Sequence, residues 1–304
     1  MRAKSTFERP RVRLVGGLSL PLHTALLLPT LAVLSLVVLY PIISSAVLGF
    51  FNYDLTNPRG QGFAGLDNFR KLGADENFWL ALKNTLVFSL TSVAVSLIIG
   101  LVVALAVDRL TERTGWLRGV LLLPWVIPTV VVGYLYLFIF DVDSGLANFI
   151  LMELGVIQRS LPWLMRGDLA MIACVTANVW NQTPFYILMF AAGLKTIPQD
   201  IKEATVEMGA SRWQEFRHVT LPFLRGIIVI TSLLMIIRNF NNFPIVYTMT
   251  GGGPAYDTTT FVIYIYRLAF DSFKLGYAGA VGFIWCIVLA IMAALYVKAL
   301  AKES

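Results

Sequence analysis

Seven stretches of this chain contain no Asp, Glu, Lys or Arg: 14–53, 84–107, 119–140, 169–194, 226–237, 239–256 and 275–297. Charge confined to the gaps between long apolar runs leaves few folds open. A helix crossing a bilayer needs about 20 predominantly apolar residues. Backbone polar groups in lipid must be satisfied internally, so only helices or closed barrels cross. The apolar–polar alternation of barrel strands is absent. Only 14% of the 304 residues are charged, against roughly 25% in soluble domains. The pattern predicts an all-α integral membrane protein with six spans, at about 24–47, 85–107, 119–140, 169–193, 226–248 and 276–297. The first run is too long for the apolar core of a cleavable signal peptide.

Lys and Arg counts set the orientation. With both termini inside, the inner segments hold 15 and the outer ones 8, while Arg238 lies within a span. Both termini are therefore expected in the cytoplasm. Residues 1–23 read as a basic N-terminal segment carrying Arg2, Lys4, Arg9, Arg11 and Arg13, residues 24–298 as one six-helix membrane domain, and 299–304 as a cytoplasmic tail. The net charge of +6 follows from this topology and calls for no nucleic acid. Cys174 and Cys286 fall inside spans, where packed thiols are expected rather than a disulfide or metal site. The outer loop 48–84 is aromatic (Phe50, Phe51, Tyr53, Phe63, Phe69, Phe78, Trp79). It fits interfacial anchoring or contact with an external partner.

The inner loop 195–225 is polar. Thr196 and Pro198 suit a helix start, and Glu203, Ala204 and Glu207 continue a helix that Gly209 can end by adopting positive φ. Ser211 followed by Gln214 is a capping-box pattern. The second helix puts Trp213, Phe216 and Val219 along one side, with Pro222 expected to stop it. Glu203-Ala204, Gly209-Ala210, Val219 and Leu221-Pro222 resemble the EAA loop of binding-protein-dependent ABC importer permeases. That resemblance implies a type I permease fold in the bacterial inner membrane. It also implies that Glu203, Ala204, Glu207, Gly209, Ala210, Trp213 and Phe216 meet a separate ATPase subunit. Thr205, Met208 and Val219 depart mildly from the usual residues.

Polar residues also occur inside the spans. Arg238 lies near the middle of span five, where its charge costs about 2.5–3.5 kcal/mol even on the lenient insertion scale. Asn239, Asn241, Asn242 and Pro244 surround it. Span four carries Asn178, Asn181 and Gln182 at i, i+3, i+4, with Phe185 a turn further on. Amides donate and accept, and a ring can cover the apolar face of a sugar. Hydrogen-bonded glue between helices accounts for such residues equally well one at a time. Two clusters on separate spans, one with an Arg, favour a solute pathway. The segment Asn239-Phe240-Asn241-Asn242-Phe243 with Thr250-Gly251-Gly252-Gly253-Pro254 resembles the larger-type permease of the carbohydrate-uptake branch. By that similarity Asn178, Asn181, Gln182, Phe185, Asn239 and Asn242 fall on solute-contacting positions. Arg238 departs from the pattern and points to an acidic group on a sugar-like solute.

The resemblance implies the partners: a second permease forming a heterodimer, a dimer of ATP-binding subunits holding ATP and Mg, and an extracytoplasmic solute-binding protein. No cofactor is expected on this chain, and it is not expected to be an enzyme. Gly251-Gly252-Gly253-Pro254 lacks the Gly-Lys-Ser/Thr of a phosphate loop, as does the rest of the sequence. The alternative, an ion-coupled transporter working without an ATPase, usually needs buried carboxylates or histidine. No Asp or Glu lies deep in any predicted span, and His23 and His218 sit at or beyond the ends.

Overall fold

The computed structural model describes residues 11–13, 19–108 and 115–303. Most of the basic N-terminal segment, 1–10 and 14–18, lies outside the described residues, as do 109–114. The strands β1 (Arg11–Arg13) and β2 (Ser19–Pro21) pair antiparallel. After them come α1 (Leu22–Leu34) and α2 (Tyr40–Leu48), joined by a π-turn at Ser35–Leu39. A hairpin of β3 (Phe51–Asn52) and β4 (Gly62–Phe63) leads to α3 (Asp67–Gly73) and α4 (Glu76–Asp108). Next are α5 (Gly115–Val126), α6 (Thr129–Ile139), α7 (Leu146–Glu153) and α8 (Gly167–Leu194). The polar loop contributes α9 (Gln199–Glu207) and α10 (Arg212–Glu215), and α11 (Leu221–Phe240) follows. Then come α12 (Pro244–Thr250), α13 (Phe261–Tyr266) and α14 (Leu275–Glu303).

Among the described residues, four helices are long and apolar enough to cross a bilayer: Leu26–Leu48, Glu76–Asp108, Arg212–Phe240 and Leu275–Lys298. Two expected spans are not straight. The span expected at 119–140 is the pair α5–α6, bent by 97°. Its cause is Pro128, which precedes Thr129 with ψ 133° and disfavours helical geometry at Ile127. The span expected to run to 248 ends at Phe240. Pro244 has no N–H to offer the Phe240 carbonyl, and the Asn241 side chain instead donates to Ile237 O at 3.0 Å. Conversely, Pro222 does not stop the preceding helix. A π-turn at Phe216–Thr220 carries α10 into α11, and Pro222 sits in the first turn of α11, where no intrahelical N–H is needed.

The chain forms two compact units, residues 1–70 with 273–283 and residues 71–272 with 284–304. In the first, Asn68 Nδ2 donates to the Gly49 and Phe51 carbonyls, both at 2.9 Å. Phe50, Phe69 and Phe283 pack as a ring trio with centroids 5.0–6.4 Å apart. Several aromatics of the outer loop are therefore internal packing. Phe63, 76% exposed, remains on the surface.

The second unit is organised around α8. This helix of 28 residues is about 42 Å long at 1.5 Å per residue, yet its amides make it too polar to count among the four apolar spans. It is instead enclosed, chiefly by α4 and also by α5, α6, α11 and α12. The stripe Ser89, Ser92, Ser96, Gly100 and Ala104 on α4 is buried, and small residues let helix backbones approach closely. A Cβ at Gly100 would sit 2.5 Å from Tyr186 Cβ on α8. Asp75 Oδ1 caps α4 by accepting the N–H groups of Asn77 (3.0 Å) and Phe78 (3.3 Å). After α6, hydrogen bonds from the Ser144 backbone and hydroxyl hold the Asp141 carboxyl below its ordinary range. Further on, Asn148 uses its whole amide, donating to Val142 O and Leu161 O and accepting from Leu161 N and Trp163 Nε1 at 2.9–3.1 Å.

Replacing Gly100 with Leu should force α4 off α8 and destabilise the protein by about 1–3 kcal/mol. The expected readout is a lowered unfolding midpoint in detergent, with Gly100→Ala intermediate between Leu and wild type.

Candidate functional site

The two polar clusters expected on separate spans form one network. Asn242 Nδ2 donates to Asn178 Oδ1 at 2.9 Å. Asn178 Nδ2 donates to Asn239 Oδ1 at 3.1 Å, and Asn239 Nδ2 donates to Gln182 Oε1 at 3.1 Å. The result is a head-to-tail ladder of four primary amides linking α8 to the broken end of α11. Its two ends are loose: Asn242 Oδ1 and Gln182 Nε2 are buried and have no protein partner. Asn178, Gln182 and Asn239 are each 2% exposed, so such ends want a polar occupant.

The other predicted pathway residues are placed differently. Asn181 turns away from the ladder and donates to Pro124 O in α5 at 2.6 Å. Phe185 is half-buried beside Trp125, with ring centroids 5.4 Å apart. Arg238 is exposed and makes no ion pair among the described residues, while its neighbour Asn239 is buried. Consecutive residues in a helix diverge by about 100°, since 3.6 make a turn. The i, i+4 pairing of 178 with 182 was legible in the sequence. The junction with Asn239 was not, because it depends on where α11 stops.

The polar loop has the expected helix–turn–helix form. α9 ends at Glu207, and Gly209 two residues on turns the chain with φ +70°, a conformation that costs Gly least. Ser211 and Gln214 form the reciprocal capping box, with Ser211 N donating to Gln214 Oε1 at 2.7 Å and Gln214 N donating to Ser211 Oγ at 3.4 Å. Glu203, Ala204, Glu207 and Gly209 are exposed and Ala210 is half-buried. Thr205 is buried and its hydroxyl donates to Ile201 O at 2.6 Å. Met208 is 78% and Trp213 65% exposed, and Phe216 leans on Trp213 with centroids 5.5 Å apart. Lys202 Nζ reaches Asp108 Oδ2 at 3.6 Å, joining α9 to the end of α4. Sequence reasoning had not singled out that pair. Beyond it, α9 makes few contacts with other elements.

Comparisons with known proteins bear on the family and the fold. The family model described as "Binding-protein-dependent transport system inner membrane component" matches residues 96–302. The trehalose/maltose transport system permease protein MalF of Thermococcus litoralis is 34% identical over 251 residues, covering 83% of this chain and 83% of that protein. The sulfoquinovosyl glycerol transport system permease protein SmoG of Agrobacterium fabrum is 31% identical, covering 91% and 89%. Among solved structures, a chain of a bacterial alginate ABC transporter superimposes with a TM-score of 0.76 at 22% identity, covering 90% and 92%.

Asn239→Leu should strand Asn178 Nδ2 and Gln182 Oε1 at once, at about 1–3 kcal/mol for each group left unsatisfied. Thermal unfolding in detergent is expected to show the loss. Asn241→Leu, at an exposed amide outside the ladder, should shift the midpoint far less.

Proposed function

This chain belongs to the binding-protein-dependent transport system inner membrane components, and from that premise we propose that it forms half of the solute pathway of an ATP-driven sugar importer. As a permease subunit it is not itself an enzyme. The observation that carries the reading is the polar loop. α9 leaves Glu203, Ala204 and Glu207 exposed and has little to hold within its own chain. A helix built that way is suited to sit in a cleft of another subunit, with Gly209 and Ala210 setting the turn and Trp213 and Phe216 steadying it. The ATPase dimer would bind ATP and Mg. A second permease would complete the pathway, and an extracytoplasmic binding protein would deliver the solute.

In this reading α5–α6 counts as one bent span and α8 as an enclosed one, giving six with both termini cytoplasmic. Residues 24–298 form the permease domain, 1–23 the basic segment and 299–304 the tail. The relatives named for trehalose/maltose and for sulfoquinovosyl glycerol support a sugar or sugar derivative. So do the loose ends of the amide ladder, one donor and one acceptor, which suit a hydroxyl. Asn178, Asn181, Gln182, Phe185, Asn239 and Asn242 are proposed to line or shape that site. Arg238, in the last turn of α11 and without an ion pair among the described residues, is proposed to meet an acidic group on the solute.

In the reconstituted transporter, Glu203→Lys with Glu207→Lys should cut solute uptake at least about tenfold. That corresponds to the loss of a single 1.4 kcal/mol coupling. Unchanged uptake and unchanged assembly would overturn the reading. Arg238→Ala should weaken uptake of an anionic sugar by about 10–150-fold, the worth of a charged hydrogen bond of roughly 1.5–3 kcal/mol. Neutral sugar uptake should stay close to wild type. Equal loss for both solutes would make Arg238 structural.

A further inference from the structure

A cavity of about 530 Å³ opens where the spans meet the polar loop. One wall is apolar, formed by Val102 and Leu105 of α4 together with Leu194 and Ile197 beyond α8. Val102 is 61% and Ile98, one turn earlier, 60% exposed. With Leu105 they stand at i, i+4 and i+7, so the wall continues as a greasy stripe up α4. The opposite wall is α10, which supplies Arg212, Trp213 and Glu215.

The charges in this cavity are arranged unusually. Lys202 and Asp108 face each other at 3.6 Å. Arg212 and Glu215 lie three residues apart on one turn, yet they pair neither with each other nor with another charge among the described residues. Among the described residues the cavity therefore presents one cation and one anion without an ion pair, roughly 5–6 Å apart at Cβ. Beneath them lies a strip suited to hydrocarbon. Trp213, which also lines the cavity, is 65% exposed.

We propose that this cavity binds a zwitterionic phospholipid with a primary ammonium headgroup, of the phosphatidylethanolamine class. Arg212 takes the phosphate, for which a guanidinium is well shaped. Glu215 takes the ammonium, which can donate hydrogen bonds. One acyl chain follows Leu105, Val102 and Ile98 into the bilayer. The assignment rests on the permease reading above: the exposed face of α9 is left to the ATPase, while Arg212 and Glu215 of α10 turn to the cavity. A lipid lodged there fixes the angle at which the coupling segment leaves the spans.

The test uses the whole transporter, purified with its partner subunits. Native mass spectrometry should show phosphatidylethanolamine retained by wild type and lost from both Arg212→Gln and Glu215→Gln. In phosphatidylcholine vesicles, adding phosphatidylethanolamine should raise solute-stimulated ATP hydrolysis several-fold for wild type but not for the variants. Phosphatidylglycerol should not replace it in wild type, but should in Glu215→Gln, where the opposing carboxylate is gone. A merely structural Glu215 would not produce that exchange of preference. Free inorganic phosphate should have no effect in any arm. Undiminished lipid retention by both variants would overturn the proposal. Retention is read without transport. A transporter inactive even in native lipid extract would count against the permease reading, and retention would still decide the lipid site.

Discussion

The fold turns on one physical constraint: α8 is the helix that cannot be shown to lipid. Asn178, Asn181 and Gln182 within two turns, followed by Pro184, leave it more polar than the four helices that qualify as apolar spans. In hydrocarbon each unmet amide is costly, so α8 must be wrapped by other helices. Small residues on α4 allow the closest of those contacts. Proline-made breaks in α5–α6 and α11–α12 bring further polar groups to it. Pro124 O receives Asn181, and the broken end of α11 delivers Asn239 and Asn242.

Much of this was readable beforehand because it is local. Runs without charge mark the membrane segments, since an ion in lipid is costly whatever the fold. Gly209 and the Ser211–Gln214 box mark the loop turn, since both act within a few residues of themselves. The single bond between Asn178 and Asn239 was not readable. It joins positions 61 residues apart, and no periodicity relates them.

Proline was the least reliable guide, and for a definite reason. Pro128, Pro184, Pro222 and Pro244 are the same residue in four settings. Pro128 helps to make a right-angled elbow and Pro244 a helix end, whereas α8 runs through Pro184 and α11 tolerates Pro222 in its first turn. The outcome depends on where in its helix each proline falls and on what packs around it. The sequence does not display that packing.

The four-amide ladder has a direction, and nothing in its heavy-atom framework prefers that direction over its opposite. Rotating all four carboxamides by half a turn would exchange every oxygen with its nitrogen and rebuild the same three bonds in reverse. The spare donor would then move from Gln182 to Asn242, and the spare acceptor the other way. No helix would have to shift. Such a core can present a spare donor or a spare acceptor at either of its ends, a form of chemical ambidexterity.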